Sequence, residues 1–184
     1  GRVGARTEID GRSVILLTAN NYLGFAGDDE LIERSCAAAR QYGNGSTLNP
    51  PLATTPLHEQ LCDTIARFHG ADAGLLFNSC TSANVAAVCT LVGKGDVIFS
   101  DRLNHASIID GCRLSAAETR VYNNRDLDHL ESLLSQPHTG TKLVITDGVF
   151  SMEGDAADLP RMVALCRLYG AILVVDESHA AGVI

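Results

Sequence analysis

The feature that most constrains this chain is an alternation of short apolar runs with longer segments whose apolar residues recur at helical spacing. Such apolar runs predict strands, and the spaced segments predict helices. The predicted strands of this alternation are Gly74–Asn78, Val97–Ser100, Arg120–Tyr122, Leu143–Thr146 and Ile172–Val175. The predicted helices are Ser82–Val92, Ala106–Leu114, Leu127–Leu134 and Leu159–Tyr169. This rhythm indicates an α/β fold with a mostly parallel sheet covered by helices on both faces.

The first 55 residues follow a less regular pattern. Val14–Thr18 is a predicted strand, and Asp28–Gln41 is a predicted helix with acidic residues in its first turn. A loop rich in Gly, Asn, Pro and Thr follows, and Pro56 then suits the first turn of a helix over Leu57–Phe68. We therefore divide the chain into an N-terminal segment, 1–55, and a large domain, 56–184.

Composition narrows the classes of partner. A net charge of −8 argues against nucleic acid or an anionic membrane as a surface-wide partner. The longest apolar runs fall short of the ~18 residues that a membrane helix needs, and we see no secretory leader. We therefore expect a cytoplasmic protein that binds small molecules.

The six cysteines are scattered through the sequence without a C-x-x-C pair and without the spacing of a metal site. Five of them lie within apolar helical patterns, which predicts buried free thiols in a reducing compartment. These five are Cys36, Cys62, Cys89, Cys112 and Cys166. We predict no metal site.

Polar residues follow four of the predicted strands, at the carboxyl ends where ligands bind in parallel sheets. Ser79, Cys80 and Thr81 follow the first strand and open a helix, which could hold a phosphate or could be a plain helix cap. His105 comes after the second predicted strand, Val97–Ser100, and could be a ligand-binding residue, a helix cap or a surface histidine. Ser151 lies in the loop after Leu143–Thr146.

Asp176 and His179 follow the last strand and leave three interpretations open. They could be a solvated strand end, or a metal site, although further ligands at suitable spacing are missing. In the third interpretation, Asp176 meets a cationic ring nitrogen while His179 donates to an oxygen on the same ring. Four polar strand ends in one sheet favour a single shared site.

Five motifs in order along the chain resemble the α-oxoamine synthases, which are fold-type I acyltransferases that depend on pyridoxal 5′-phosphate (PLP). The motifs are ANNYLG (19–24), NSCTSAN (78–84), DRLNHASIIDG (101–111), TDGVFSMEGD (146–155) and VVDESHAAGV (174–183). Within the family, the resemblance is greatest to glycine C-acetyltransferase. It implies that residues 56–184 are part of the large, PLP-binding domain of a fold-type I transferase.

The resemblance also implies a role for eight residues. Asp176 would keep a proton on the pyridine nitrogen of PLP, so that the ring can accept electrons from the substrate. His105 would stack on the ring and orient the acyl carbonyl. The other contacts would be His179 and Ser151 with the ring's phenolic oxygen, Ser79, Cys80 and Thr81 with the phosphate or ring edge, and Asn20 with the substrate's carboxylate.

The implied reaction joins an amino acid, glycine first of all, to the acyl group of an acyl-CoA, or runs in reverse. In the family the full-length enzymes are homodimers, and the loop at 44–58 lies near the dimer interface and acyl-CoA entrance. This loop differs from glycine C-acetyltransferase, and Thr81 replaces an aromatic residue common in relatives. Four alternatives stay open: an 8-amino-7-oxononanoate synthase-like enzyme, an acyltransferase of a specialised pathway, another fold-type I PLP enzyme such as an aminotransferase or a lyase, and an inert fold or dimerisation fragment.

The family's Schiff-base lysine lies about thirty residues beyond the motif that contains Asp176 and His179. This sequence has two lysines, Lys94 and Lys142, and both precede predicted strands. A strand of five residues spans roughly 16 Å, so neither side chain is expected to reach the site from that end. We therefore expect the chain to lack the catalytic lysine and the C-terminal small domain.

Overall fold

A computed structural model of the chain describes residues 4–45 and 52–184. The chain forms two compact units, one ending at Leu76 and the other covering Phe77–Gly182. Part of the loop predicted near the dimer interface, 46–51, lies outside the described residues. The division into domains at residues 55 and 56 stays a prediction.

The first unit contains a hairpin and two helices. Strands β1 (Arg6–Ile9) and β2 (Arg12–Ile15) pair antiparallel around the Asp10-Gly11 turn, where both residues have positive φ. The helices are α1 (Asp29–Tyr42) and α2 (Pro56–His69), each close to its predicted bounds. The predicted strand Val14–Thr18 was wrong beyond Ile15, because a hairpin built on an Asp-Gly turn fixes the strand upstream.

The second unit is an α/β layer structure. Its four strands are parallel and lie in the spatial order β4–β3–β5–β6. They are β3 (Val97–Asp101), β4 (Glu118–Tyr122), β5 (Lys142–Asp147) and β6 (Ala171–Asp176). Its helices are α3 (Cys80–Leu91), α4 (Ala106–Leu114), α5 (Leu127–Leu134) and α6 (Leu159–Tyr169). All eight elements were predicted to within two residues at each end.

Helices cover both faces of this sheet. On one face, side chains of α5 and α6 such as Leu130 and Met162 pack against Phe99 and Val144. On the other face, side chains of α3 and α4 such as Val88 and Ile108 pack against Ile98 and Ile145. Because each strand alternates its side chains between two buried faces, its sequence is continuously apolar. The predicted fold class is confirmed.

One predicted strand of the alternation is absent from the described residues. Gly74–Asn78 runs as irregular chain, and within the described ranges the sheet ends at β6 without a ladder to this segment. The Leu75 side chain is 79% exposed, so the apolar run is not buried by a neighbouring strand. Apolar composition predicted a strand here, but a strand also needs a hydrogen-bonded neighbour.

The prediction of five buried cysteines was wrong for two of them. All the cysteines are free, and Cys112 and Cys166 are buried, whereas Cys62 is half-buried and Cys36 and Cys89 are exposed. Helix α1 has no buried residue, which leaves Cys36 on the surface. Helix α3 has no clear division into an apolar and a polar side, so residue spacing alone did not identify its buried side.

Helices α3 and α4 approach each other closely at Gly111. A Cβ atom at this position would lie 3.3 Å from the Asn84 carbonyl oxygen and 3.3 Å from the Val88 Cβ. Both neighbours belong to the core of α3, so neither can move without disturbing the packing of that helix. The missing side chain therefore sets the spacing between the two helices that carry Asn84 and His105.

We predict that Gly111→Val lowers the free energy of unfolding by about 1–3 kcal/mol, because the added methyl groups force α3 and α4 apart. Urea unfolding followed by circular dichroism measures the change. Gly93→Ala is the matched control, since a Cβ there would meet nothing closer than 3.7 Å. Equal stability of Gly111→Val and the wild type would contradict the close packing.

Candidate active site

The carboxyl ends of the parallel strands border an open pocket with about 350 Å³ of empty space. Its lining includes six of the eight residues predicted for the site: Cys80, Thr81, His105, Ser151, Asp176 and His179. Three further lining residues were not predicted: Ser107, Asp147 and Ser178. The loops after β3, β5 and β6 meet here because parallel strands place their carboxyl ends at one edge, and the first residues of α3 lie beside them.

The two remaining predicted residues do not line this pocket. Ser79 is the N-cap of α3, and its hydroxyl accepts a hydrogen bond from the Ser82 amide at 3.1 Å. Asn20 lies in the first unit, where its side chain accepts a hydrogen bond from Tyr22 at 3.2 Å. Direct binding of cofactor by Ser79 and of substrate by Asn20 stays a prediction.

Asp176 is a buried carboxylate that is held ionised by hydrogen-bond donors. Burial alone would raise its pKa, but bonds from the Ser178 and Asn84 side chains and from the Ser178 amide outweigh burial, and its pKa lies below the usual value. Asn84 Nδ2 donates to Oδ2 at 2.8 Å, and the Ser178 amide donates to Oδ1 at 2.9 Å. The pocket thus has a fixed negative charge.

Asp147 is the second buried carboxylate of the pocket, and its pKa is shifted in the opposite direction. It lies opposite Asp176 in the register of β5 and β6. Burial raises its pKa, and the nearby Asp176 charge adds to this, while the hydrogen bond from the His105 amide opposes it. That amide donates to Asp147 Oδ2 at 2.9 Å. Asp147 therefore positions the start of α4 and gives up its charge more readily than Asp176.

His105 is held at the N-terminus of α4 by its own backbone and side chain. It is the N-cap residue, and its Nδ1 accepts a hydrogen bond from the Ser107 amide at 3.2 Å. The preceding residue, Asn104, is buried and donates to the Ile145 carbonyl at 2.9 Å, while its Oδ1 accepts from the Asp147 amide at 2.9 Å. These bonds tie the β3–α4 loop to the end of β5.

The N-terminus of α3 forms another side of the pocket. Helix geometry leaves the amides of Cys80 and Thr81 without an acceptor inside the helix, and the helix dipole gives this end partial positive charge. The Cys80 thiol donates to Asp176 Oδ2 at 3.4 Å and accepts from the Ser178 hydroxyl at 3.1 Å. Burial raises the pKa of this thiol, so it remains protonated and acts as a donor to Asp176.

Both lysines lie away from the pocket, as predicted. Lys142 is the first residue of β5, and its Nζ donates to the Leu134 carbonyl at 2.9 Å. Lys94 lies in the turn between α3 and β3. The pocket is at the opposite ends of these strands, so neither side chain belongs to it.

Within residues 4–45 and 52–184, no group of three or more His, Cys, Asp or Glu side chains could hold a metal ion. Over the same ranges, no helix is both long and apolar enough to cross a membrane. The predicted cytoplasmic location stays a prediction.

Comparison with known proteins identifies the family. The sequence model of the family described as aminotransferase class I and II matches residues 12–184. This chain belongs to that family. The 8-amino-7-oxononanoate synthase of Geobacter sulfurreducens is 48% identical over 186 residues, which cover 100% of this chain and 48% of the relative.

Solved structures agree with the family. Serine palmitoyltransferase from Sphingomonas wittichii aligns with a TM-score of 0.86 and 36% identity, over 93% of this chain and 43% of that one. A variant of the S. paucimobilis enzyme with bound PLP aligns with a TM-score of 0.87 and 32% identity, over 93% and 44%. These relatives are α-oxoamine synthases, which confirms the family that the motifs predicted. The chain spans about half the length of the relatives it matches.

Sequence reasoning missed four polar residues of this aminotransferase-family site. Ser107, Asp147 and Ser178 line the pocket, and Asn84 contacts Asp176 from behind it. Asn84 could have been found, because it lies one helical turn after Cys80 and therefore on the same side of α3. Asp147 directly follows the predicted strand Leu143–Thr146, as Asp176 follows Ile172–Val175, and that position could have identified it.

We predict that Asn substitutions at the two carboxylates change stability in opposite directions. The pKa of Asp176 is lowered in the folded chain, so its ionised carboxylate stabilises the fold. This stabilisation is fully present above the pKa of the unfolded chain and is lost as pH falls through the pKa of the folded chain. Asp176→Asn should therefore cost about 1–3 kcal/mol at pH 7, because the charge is lost and the new NH₂ group replaces one of the two acceptor oxygens that face donors. The cost should vanish in acid.

The Asp147 substitution serves as the matched partner. The pKa of Asp147 is raised in the folded chain, so its ionised carboxylate destabilises the fold. The free energy of unfolding of the wild type therefore falls as pH rises from the pKa of the unfolded chain to that of the folded chain. Asp147→Asn should raise the free energy of unfolding at pH 7, and the gain should shrink as pH falls. Urea unfolding from pH 3 to 8 measures both. Equal signs at pH 7 would contradict the assignment of charge.

Proposed function

We propose that the whole protein to which this chain belongs is a PLP-dependent α-oxoamine synthase of the 8-amino-7-oxononanoate synthase type. The single observation that carries the proposal is the pocket in which ionised Asp176 lies with His105, Ser151 and His179. The 48% identity to a relative named 8-amino-7-oxononanoate synthase supports this subfamily over the glycine C-acetyltransferase that the motifs suggested.

The pocket residues fit PLP. A buried carboxylate that hydrogen bonds keep ionised suits a cationic ring nitrogen, and Asp176 is such a group. Ser151 and His179 line the same pocket with groups suited to the ring's phenolic oxygen. The amides of Cys80 and Thr81 at the N-terminus of α3 suit the phosphate. The fit therefore rests on three separate chemical matches.

PLP bound there would supply an electron sink for the bond broken at the substrate's Cα. Asp176 would hold the proton on the ring nitrogen by charge pairing, since its low pKa keeps it ionised. His105 would limit the ring's position from one face and present its outer nitrogen to the acyl carbonyl. Charge that develops on that oxygen would be stabilised by a donor already in place.

The product's carbon skeleton defines the substrates. In 8-amino-7-oxononanoate, the new bond joins C7, an acyl carbon, to C8, which carries the amino group and a methyl group. The acyl donor is therefore a thioester of a seven-carbon dicarboxylic acid. The amino-acid partner is alanine, whose carboxylate leaves as CO₂. Alanine therefore replaces glycine, which the motifs suggested, as the proposed amino-acid substrate.

The rest of the whole protein would contribute what this chain does not carry. We propose that the whole enzyme has the Schiff-base lysine and the small domain that the family resemblance implies. Homodimer formation is likewise part of the proposal. Several exposed apolar side chains of α2, including Leu61, Ile65 and Phe68, are consistent with a surface that a second subunit covers.

We predict that the whole, PLP-loaded protein releases CoA fastest with alanine and the thioester of the seven-carbon dicarboxylic acid. The panel crosses alanine, glycine and serine with that thioester, acetyl-CoA and palmitoyl-CoA, because these pairs separate the three synthase types. Mass spectrometry of the product shows whether the carboxylate has left.

Two outcomes would reject parts of the proposal. A preference for glycine with acetyl-CoA would return the assignment to glycine C-acetyltransferase and keep the family chemistry. Transamination with an oxo acid, without CoA release from any pair, would reject acyl transfer altogether. Asp176→Asn is the control for background reaction, because without charge pairing at the ring nitrogen its rate should fall by orders of magnitude with every pair.

A further inference from the structure

A continuous chain of hydrogen bonds joins the two ends of the pocket behind its surface. Asn84 Nδ2 lies 2.8 Å from Asp176 Oδ2 and 3.0 Å from the Ser107 Oγ. The Ser107 Oγ in turn lies 2.8 Å from His105 Nδ1. Asn84 and Ser107 are 6% and 4% exposed, so water does not compete for these bonds.

The donor and acceptor roles along this chain follow from the charge of Asp176 and from the Ser107 amide, although Asn84 Nδ2 also lies 3.7 Å from the Cys80 sulfur. Ionised Asp176 can only accept, so the amide group of Asn84 must turn its NH₂ towards it. The second hydrogen of that NH₂ then goes to the Ser107 oxygen, which leaves the hydroxyl hydrogen for His105 Nδ1. The Ser107 backbone amide also donates to Nδ1, at 3.2 Å. Nδ1 therefore carries a lone pair, and the proton of the neutral ring lies on Nε2.

We infer that Asn84 and Ser107 are positioning residues that set the tautomer of His105 and couple it to the charge of Asp176. Their effect is that the outer nitrogen of His105 carries a hydrogen that it can donate. The catalytic consequence rests on the proposed function, in which that hydrogen meets the acyl oxygen. The tautomer assignment is independent of the proposed function.

The spacing of the two helices supports this role. Asn84 is on α3 and Ser107 is on α4, and these helices meet at Gly111, where even a Cβ would be crowded by the Asn84 carbonyl. The register between the two side chains is therefore fixed by packing. A buried polar network of this kind is stable only when each member is satisfied, and here each donor has an acceptor.

The test is side-chain nitrogen NMR on the cofactor-free whole protein, with ¹⁵N only in histidine. His105→Gln identifies the two resonances of His105. We expect one nitrogen with the shift of an unprotonated acceptor, Nδ1, and one with the shift of a protonated nitrogen, Nε2. Ser107→Ala removes only a hydroxyl and should bring the two shifts closer, and Asn84→Ala should do the same to a smaller extent.

Asn124→Ala is the matched control, because Asn124 also donates to a buried carboxylate, Asp101, at 2.9 Å, but away from the pocket. It should leave both shifts of His105 unchanged. A proton on Nδ1 in the wild type, or shifts that neither Ser107→Ala nor Asn84→Ala alters, would overturn the inference.

The same variants separate this inference from the proposed function. In the PLP-loaded whole protein, Asn84→Ala should lower kcat roughly tenfold, with a smaller change in KM, since a hydrogen bond to a charged group is lost. Altered shifts without any acyl transfer in the wild type would reject the proposed function and keep the tautomer assignment. Unchanged kcat with altered shifts would reject the coupling to catalysis.

Discussion

The arrangement of this site depends on two buried carboxylates that the parallel register of β5 and β6 sets opposite each other. Asp147 and Asp176 end neighbouring strands, and each is less than a tenth exposed. Two like charges this close oppose each other's ionisation, so donors must favour one of them. Asp176 has the donors of Asn84, Ser178 and Cys80, whereas Asp147 has the backbone amide of His105. One carboxylate is thus a fixed charge and the other mainly positions α4.

This asymmetry links the fold to the chemistry. The donors to Asp176 come from α3 and from the turn after β6, so its charge depends on the packing of α3 against α4 and the sheet. His105 is fixed by the carboxylate of Asp147 through its backbone and by Ser107 through its ring. An ionised carboxylate and an imidazole whose Nδ1 accepts a hydrogen bond therefore lie in one pocket. That combination is suited to a cofactor with a protonated ring and to an acyl group beside it.

Much of the fold and part of the site were predictable from the sequence, for identifiable reasons. Buried parallel strands leave continuous apolar runs, so β3 to β6 and some of the polar residues at or after their ends, such as His105 and Asp176, were found. The prediction of a strand at Gly74–Asn78 was wrong, and β1, the hairpin partner of β2, was missed, because strand pairing is not visible in composition. Asn84 and Ser107 were missed because their roles arise from contacts between α3 and α4. The subfamily came from relatives rather than from motifs shared across the family.

The protonation state of the ring nitrogen tests the account most directly. PLP labelled with ¹⁵N at the pyridine nitrogen would be bound to the whole protein, and its nitrogen shift would be recorded at neutral pH for the wild type and for Asp176→Asn. The account predicts a protonated nitrogen in the wild type and a neutral one in the variant. A neutral ring nitrogen in the wild type, or a protonated one that persists without the carboxylate, would contradict it.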